Sequence, residues 1–231
     1  MDDAKRAAAR AALEELPEAG IVGLGTGSTS RIFVEELAPR VRAGRKLVGV
    51  PTSESTRALA ESLGIPLLGD EGPWAIDVNV DGADEVSAGL DLIKGGGGAH
   101  AREKIVNYAA RRNVVIVDAS KMSARLGEKW PVPVEVLPFA HGATRAHLAQ
   151  LGEPALRHKD GAPWKTDAGN LIYDLRVPPI DDPAALDRAL RAIPGVVETG
   201  LFVGRADVVL VAEPGGDGGG GAVLRLERTG R

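Results

Sequence analysis

The chain has 231 residues, 44% hydrophobic and 26% charged, with a formal net charge of -4 and no cysteine. This balance excludes a disordered chain, and the missing cysteine excludes a disulfide scaffold, a thiolate nucleophile and a zinc site built on sulfur. No run of 18 apolar residues occurs, and Met1-Asp2-Asp3-Ala4-Lys5-Arg6 leads into a charged helix. The expectation is a cytoplasmic protein without membrane span, secretory signal or global attraction for nucleic acid.

Asp2 to Leu16 spaces alanines and leucines as a helix and stops at Pro17. Ile21 to Leu24 reads as a buried strand, followed by the turn Gly25-Thr26-Gly27-Ser28-Thr29 and a helix from about Ser30 to Leu37. Leu47–Val50 is a second strand, Ser53–Leu63 a helix capped by Ser53, and Ile65–Leu68 a third strand. Ile76–Val80 runs into Asp81-Gly82-Ala83-Asp84-Glu85, and Leu92-Ile93 into Lys94 and four glycines. A helix follows over Ala99–Arg111, then strand Val114–Val117. Alternating strands and helices with short loops predict a Rossmann-like α/β fold, its sheet mostly parallel and covered on both faces.

Beyond Lys121 the pattern changes to strand Val132–Val136, helix His141–Leu151, strands near Ala155–Arg157 and Leu171–Leu175, helix Asp181–Ala192 and strand Val196–Glu198. The order β-α-β-β-α-β is that of a ferredoxin-like unit. Asp207–Ala212 and Ala222–Leu226 then read as strands joined by a glycine-rich hairpin, Gly215–Gly221, that return to the first sheet. The expected division is therefore a catalytic domain of residues 1–126 and 200–231 with a small inserted α+β domain of residues 127–199.

Five segments are candidates for chemistry. In Gly23-Leu24-Gly25-Thr26-Gly27-Ser28-Thr29, backbone N–H groups and a helix N-terminus converge between strand and helix, which suits a phosphate. The third glycine of the dinucleotide fingerprint is Ser28, and no acid ends the second strand, so a phosphate monoester fits better than NAD. A tight turn with capping hydroxyls would look similar. Asp81 and Asp84 follow a strand at the sheet's carboxyl edge, where they could hold a cation, move a proton or bind sugar hydroxyls; a solvated turn is the plain alternative.

Lys94-Gly95-Gly96-Gly97-Gly98 implies close backbone approach, with a lysine placed to stabilise charge on oxygen. Glu103 lies one turn into the next helix, where a lone carboxylate is by default a dipole partner, and Lys121 alone is a surface lysine. The four histidines have no metal-ligand spacing, and Ser28 lacks a hydrolase nucleophile's G-x-S-x-G context.

Together, Gly25-Thr26-Gly27-Ser28-Thr29, Asp81-Gly82-Ala83-Asp84, Lys94-Gly95-Gly96-Gly97, Glu103 and Lys121 resemble the type A ribose-5-phosphate isomerase family across essentially the whole chain. The resemblance implies interconversion of ribose 5-phosphate and ribulose 5-phosphate in the pentose phosphate pathway, without metal or cofactor. It implies that Thr26, Gly27, Ser28 and Thr29 bind substrate, with Ser28, Thr29 and Lys5 near the phosphate. Asp81 would assist ring opening, with Gly82, Ala83, Asp84, Lys94, Gly95, Gly96 and Gly97 around the sugar. Glu103 would be the base and Lys121 a further substrate ligand. It also implies a homodimer or a dimer of dimers.

The chemistry is consistent, because an enediolate needs a base on one side and positive charge near its oxygens. Two other readings stand beside it: a sugar-phosphate-sensing domain of a transcriptional regulator and an NAD-dependent dehydrogenase. About 20 residues precede the phosphate loop, room for one helix and not a helix-turn-helix. The 20 arginines against 8 lysines, and only five Asn plus Gln, fit a heat-adapted protein or a GC-rich genome.

Overall fold

A computed structural model describes residues 2–213 and 222–228, so the expected hairpin Gly215–Gly221 lies outside the described residues. The chain forms two compact units, Met1–Ala83 with Arg102–Ser120 and Arg205–Arg231, and Asp84–Ala101 with Lys121–Gly204. No helix among the described residues is long and apolar enough to cross a membrane.

The first unit holds helices α1 (Asp2–Leu13), α2 (Ser28–Arg42) and α3 (Glu54–Ser62), and most of α4 (His100–Ala109). Its six strands lie in the order Val223–Glu227, Val208–Ala212, Ala110–Asp118, Ile76–Asp81, Ala19–Leu24, Lys46–Pro51. All pairs are parallel except the one that includes Val223–Glu227. Val22 and Leu24 alternate with Ile21 and Gly23, so the first pair packs with Ala8, Ala12 and Leu13 of α1 and Phe33 and Leu37 of α2. On the opposite face a side chain at Gly23 would collide with Val106 of α4, which explains the glycine there. Helices thus cover both faces, and the late strands rejoin this sheet.

Beneath α4 runs a buried amide network. Asn79 Nδ2 donates to Asn113 Oδ1 (3.1 Å), and Asn113 Nδ2 to the Asn107 carbonyl (3.1 Å). Asn107 in turn meets Arg205, whose Nε donates to its Oδ1 at 3.0 Å.

Some elements differ from expectation. Ile65–Leu68 makes only one parallel bridge, Gly49 with Leu67. Pro66 has no N–H to extend a ladder, although its carbonyl accepts from Gly49 N–H (2.8 Å). Helix α2 continues to Arg42 despite Pro39, and α4 stops at Ala109 because Ala110 already begins a strand. Ser53 does cap α3, accepting from Thr56 N–H at 3.2 Å.

The second unit contains an antiparallel sheet in the order Val196–Thr199, Val132–Val136, Leu171–Arg176, Glu153–Leu156, with helices α5 (His141–Leu148) and α6 (Pro183–Arg191). In chain order this is 4-1-3-2, the ferredoxin-like arrangement. Asp182 caps α6 through Ala185 N–H (2.9 Å). Val132, Val134, Val136, Tyr173 and Leu175 pack with Leu148 and Leu190 of the helices. This unit is wider than residues 127–199, because Glu85–Ser87, Leu92–Ile93, Met122–Ser123 and Leu201–Phe202 form a second small sheet within it.

On the sheet face away from Val134 and Val136, Glu135 is buried, its Oε1 accepting from the Thr166 hydroxyl (2.9 Å) and Asn170 Nδ2 (2.8 Å). Burial raises its pKa above the ordinary 4.5, and these two bonds only partly oppose that. A carboxyl with a raised folded pKa is stabilising when protonated and costs stability as pH rises through that pKa. Glu135→Gln is therefore expected to raise the melting temperature at neutral pH, the gain shrinking as pH falls towards 4.5. Thermal melts across pH check this; a lower melting temperature at neutral pH would contradict it.

Candidate active site

The strand Ala19–Leu24 lies between Lys46–Pro51 and Ile76–Asp81, which is where the strand order reverses. Open α/β sheets bind ligands outside the carboxyl ends of the strands at such a reversal. There the chain enters Gly25-Thr26-Gly27, and Asp81 ends its strand directly alongside. Gly25 N–H donates to the Val80 carbonyl (3.0 Å). Asp81 Oδ1 accepts from Thr26 N–H (3.1 Å), the Ser30 hydroxyl (3.1 Å) and Gly82 N–H (2.7 Å). A Cβ on Gly25 would fall 2.1 Å from that oxygen, so only glycine lets the loop reach the carboxylate.

Gly27 has φ +114° and ψ 177°, a conformation confined to glycine, and it serves as the N-cap of α2 with no capping side chain. The first-turn amides of Ser28, Thr29 and Ser30 precede any helical acceptor, and the first helical bond is Arg31 N–H to Gly27 O (2.9 Å). Ser28 is exposed and accepts from Lys5 Nζ (3.0 Å), so α1 brings an ammonium to the N-terminus of α2. Ser30 is spent on Asp81. Capping by loop hydroxyls, the plain alternative for this turn, is thus not what the loop does. A positive charge, a helix N-terminus and hydroxyls converge as a phosphate requires.

Thr26 behaves differently from Ser28 and Thr29. Its hydroxyl lies 2.7 Å from that of Thr52 and donates to Ser53 Oγ (2.8 Å), while Thr56 Oγ1 donates to the Gly25 carbonyl (3.0 Å). This hydroxyl cluster, which sequence reasoning missed, fixes the loop to the N-terminus of α3. Glu103 sits buried in the first turn of α4, 4% exposed. Its neighbour Arg102 ties that turn to α3 and beyond, with Nη1 on Glu54 (2.7 Å) and Nη2 on Asp70 (3.4 Å).

In the second unit, Asp84 donates its backbone N–H to Ile93 O (2.9 Å), and its Oδ2 accepts from Gly96 N–H (2.7 Å). Gly95 has φ +116°, and a side chain on Gly96 would strike Asp84 Oδ1 at 2.6 Å. The four glycines are therefore a folded turn, closed by Gly98 N–H to Gly95 O (2.9 Å). Lys94 is 4% exposed, its Nζ 5.6 Å from the Phe202 ring centroid, so it is not a solvated lysine. Its N–H donates to Gly200 O (2.8 Å), and a Cβ on Gly200 would fall 2.2 Å from the Lys94 carbonyl. A lone glycine between Thr199 and Leu201 gave little warning of this role.

Lys121 ends a 3₁₀ turn, with Nζ 5.3 Å from the Trp130 ring. Glu85, the third acid of its run, is fully buried and accepts from the N–H groups of Gly127 (2.9 Å), Lys129 (2.9 Å) and Trp130 (3.2 Å). It anchors a loop. Gly82, Ala83 and Gly97 are backbone positions flanking Asp81, Asp84 and Lys94. The first unit thus brings together Lys5, the loop and Asp81, and the second brings together Asp84, Lys94 and the glycine turn.

The sheet order 2-1-3-4-5-6 in chain numbering departs from the dinucleotide-binding 3-2-1-4-5-6, and the second strand ends at Pro51 without an acid. Comparisons with known proteins point the same way. The family model for ribose 5-phosphate isomerase A (phosphoriboisomerase A) matches residues 48–216. A ribose-5-phosphate isomerase A of Thermosynechococcus vestitus is 50% identical over 215 residues, covering 90% of this chain and 91% of that protein. The structure of ribose 5-phosphate isomerase A from Methanocaldococcus jannaschii aligns with TM-score 0.88 and 41% identity, over 98% of this chain and 99% of that one. A D-ribose-5-phosphate isomerase in complex with phospho-erythronic acid aligns with TM-score 0.92 and 40% identity over 98% and 99%. With its phosphate-type loop at the reversal of the sheet, its buried lysine and its buried glutamate, this chain belongs to the ribose 5-phosphate isomerase A family.

Proposed function

We propose that the chain interconverts D-ribose 5-phosphate and D-ribulose 5-phosphate through an enediolate, and that the residues above divide that work as follows. The amides and hydroxyls of Ser28 and Thr29, with the Lys5 ammonium, hold the phosphate. That fixes the sugar chain and makes the reaction at C1 and C2 effectively intramolecular. Asp81, already oriented by three donors on one oxygen, assists ring opening. Glu103 removes the proton from C2 of the open aldose and returns it to C1.

Lys94 stabilises the charge that develops on the enediolate oxygen, in a setting poor in water where such an interaction is strong. Asp84 and the turn Gly95-Gly96-Gly97 hold the sugar hydroxyls, and Lys121 is a further substrate ligand. The observation that carries the reading is the Asp81–Gly25 contact, which joins a phosphate-type loop to an acid at the reversal of the sheet.

A homodimer or dimer of dimers and a cytoplasmic location belong to the same proposal. Ribulose 5-phosphate is expected from ribose 5-phosphate in the presence of chelator and without nucleotide. No product under those conditions would overturn the reading, and a solution mass of one chain would overturn the assembly.

The double variant Ser28→Ala/Thr29→Ala tests the phosphate. Each lost donor to a charged group is worth about 1.5–3 kcal/mol, a factor of roughly 10 to 150 in binding. KM for ribose 5-phosphate and Ki for phospho-erythronic acid are expected to rise together, with kcat much less affected. Unchanged inhibition would place the phosphate elsewhere.

A further inference from the structure

Arg157 lies outside every motif above. It follows the strand Glu153–Leu156, and its side chain is only 10% exposed. Its Nη1 donates to the Gly95 carbonyl (2.7 Å) and approaches the Gly96 carbonyl (3.3 Å). Asp174, on the neighbouring strand, holds the other edge of the guanidinium, accepting from Nε (2.9 Å) and also from Nη2. Trp164 packs against its face, 5.3 Å from ring centroid to Cζ, and also lies 3.2 Å from where a Cβ on Gly98 would stand. A bidentate ion pair, an aromatic face and two carbonyl acceptors leave the side chain one arrangement.

The peptide unit between Gly95 and Gly96 is consequently held from both sides. Its carbonyl faces the Arg157 cation, and its N–H faces the Asp84 carboxylate at 2.7 Å. Because a peptide is planar and trans, fixing the carbonyl fixes the direction of the N–H. Gly95 itself, at φ +116°, has no side chain to resist rotation of that plane. Without an external hold the plane could turn and release Asp84.

We propose that Arg157, locked by Asp174, is a positioning residue that orients the Gly95–Gly96 peptide and through it the Asp84 carboxylate and the turn after Lys94. This rests on the reading of Asp84 and Lys94 as substrate-handling groups. Arg157 does not touch the sugar; its effect reaches the reaction through placement. Misplacing a reacting or orienting group by about 1 Å can cost about 10²-fold.

The test is a cycle of Arg157→Met, Arg157→Lys and Asp84→Asn in the full chain, with kcat, KM and melting temperature for each. Arg157→Met is expected to lower kcat about 10–100-fold, with KM within about threefold. Arg157→Lys, which keeps one donor for the Gly95 carbonyl but cannot also grip Asp174, falls between it and the wild type. In an Asp84→Asn background, Arg157→Met is expected to add less than about threefold, because the two act as one unit.

A lower melting temperature with wild-type kcat in Arg157→Met would mean a purely structural ion pair and overturn the proposal. Full multiplication of the two losses would overturn it as well. Should Arg157→Met not fold, wild-type kcat in Arg157→Lys does the same. If Asp84→Asn alone turns over like the wild type, the assignment of Asp84 fails and the proposal falls with it. A slow Asp84→Asn beside an unimpaired Arg157→Met sinks the Arg157 proposal alone.

Discussion

Glu103→Gln is expected to keep the fold and most of the affinity for phospho-erythronic acid while losing about 10²–10⁴ in kcat. The amide has the shape of the carboxylate but cannot accept a proton. Glu103 is buried in the first turn of α4, and Arg102 beside it is bonded to Glu54 and Asp70, so the turn itself should not move. The diagnostic readout is isotope exchange: in D₂O the wild type should place solvent deuterium at C1 of the ketose, and the variant should not. Wild-type turnover in Glu103→Gln would remove Glu103 from the role of base. Loss of phospho-erythronic acid binding along with turnover would instead indicate a disturbed site.

Lys94 calls for a different substitution. Its side chain is buried, with the ammonium over the Phe202 ring, so truncation to alanine would mix a packing loss with a catalytic one. Lys94→Met fills the stem and removes only the charge. Loss of a donor to a developing oxyanion costs about 2.7–4 kcal/mol, or roughly 10²–10³ in kcat. Binding of phospho-erythronic acid, which carries charge where the enediolate does, should weaken more than binding of ribose 5-phosphate. Equal losses for both ligands would make Lys94 a ground-state contact, and no loss would make it structural.

The sequence shows most clearly what is local. Gly25 to Thr29 lies between an apolar strand and an amphipathic helix, so its place at a helix N-terminus follows from neighbours within a few residues. Asp81 was legible for the same reason, as the acid ending a strand that runs parallel to both its neighbours. What was not legible depends on partners far along the chain. Lys94 stands out in the sequence through the glycines after it, but its burial beside Phe202 and Gly200 does not. The acids Asp81, Asp84 and Glu85 look alike as a run, yet three backbone amides of the segment Gly127–Trp130 make Glu85 an anchor. Ile65–Leu68 has the composition of a strand, but Pro66 limits it to one bridge. The wider second unit arises from a small sheet whose strands are two or three residues long, too short for any periodicity to show.

The asparagines buried beneath α4 bear on how this protein ages. An asparagine side chain is lost when the next residue's backbone nitrogen attacks its amide carbon, which needs a mobile, solvated backbone. Asn79 and Asn113 lie within strands, Asn107 within a helix, and Asn170 donates to Glu135 at 2.8 Å; none of the four precedes a glycine. With no cysteine and only two methionines, the chain also has few side chains open to oxidation. Loss of these four amides when hot is therefore governed by how often the chain unfolds, and stabilising the fold should slow it.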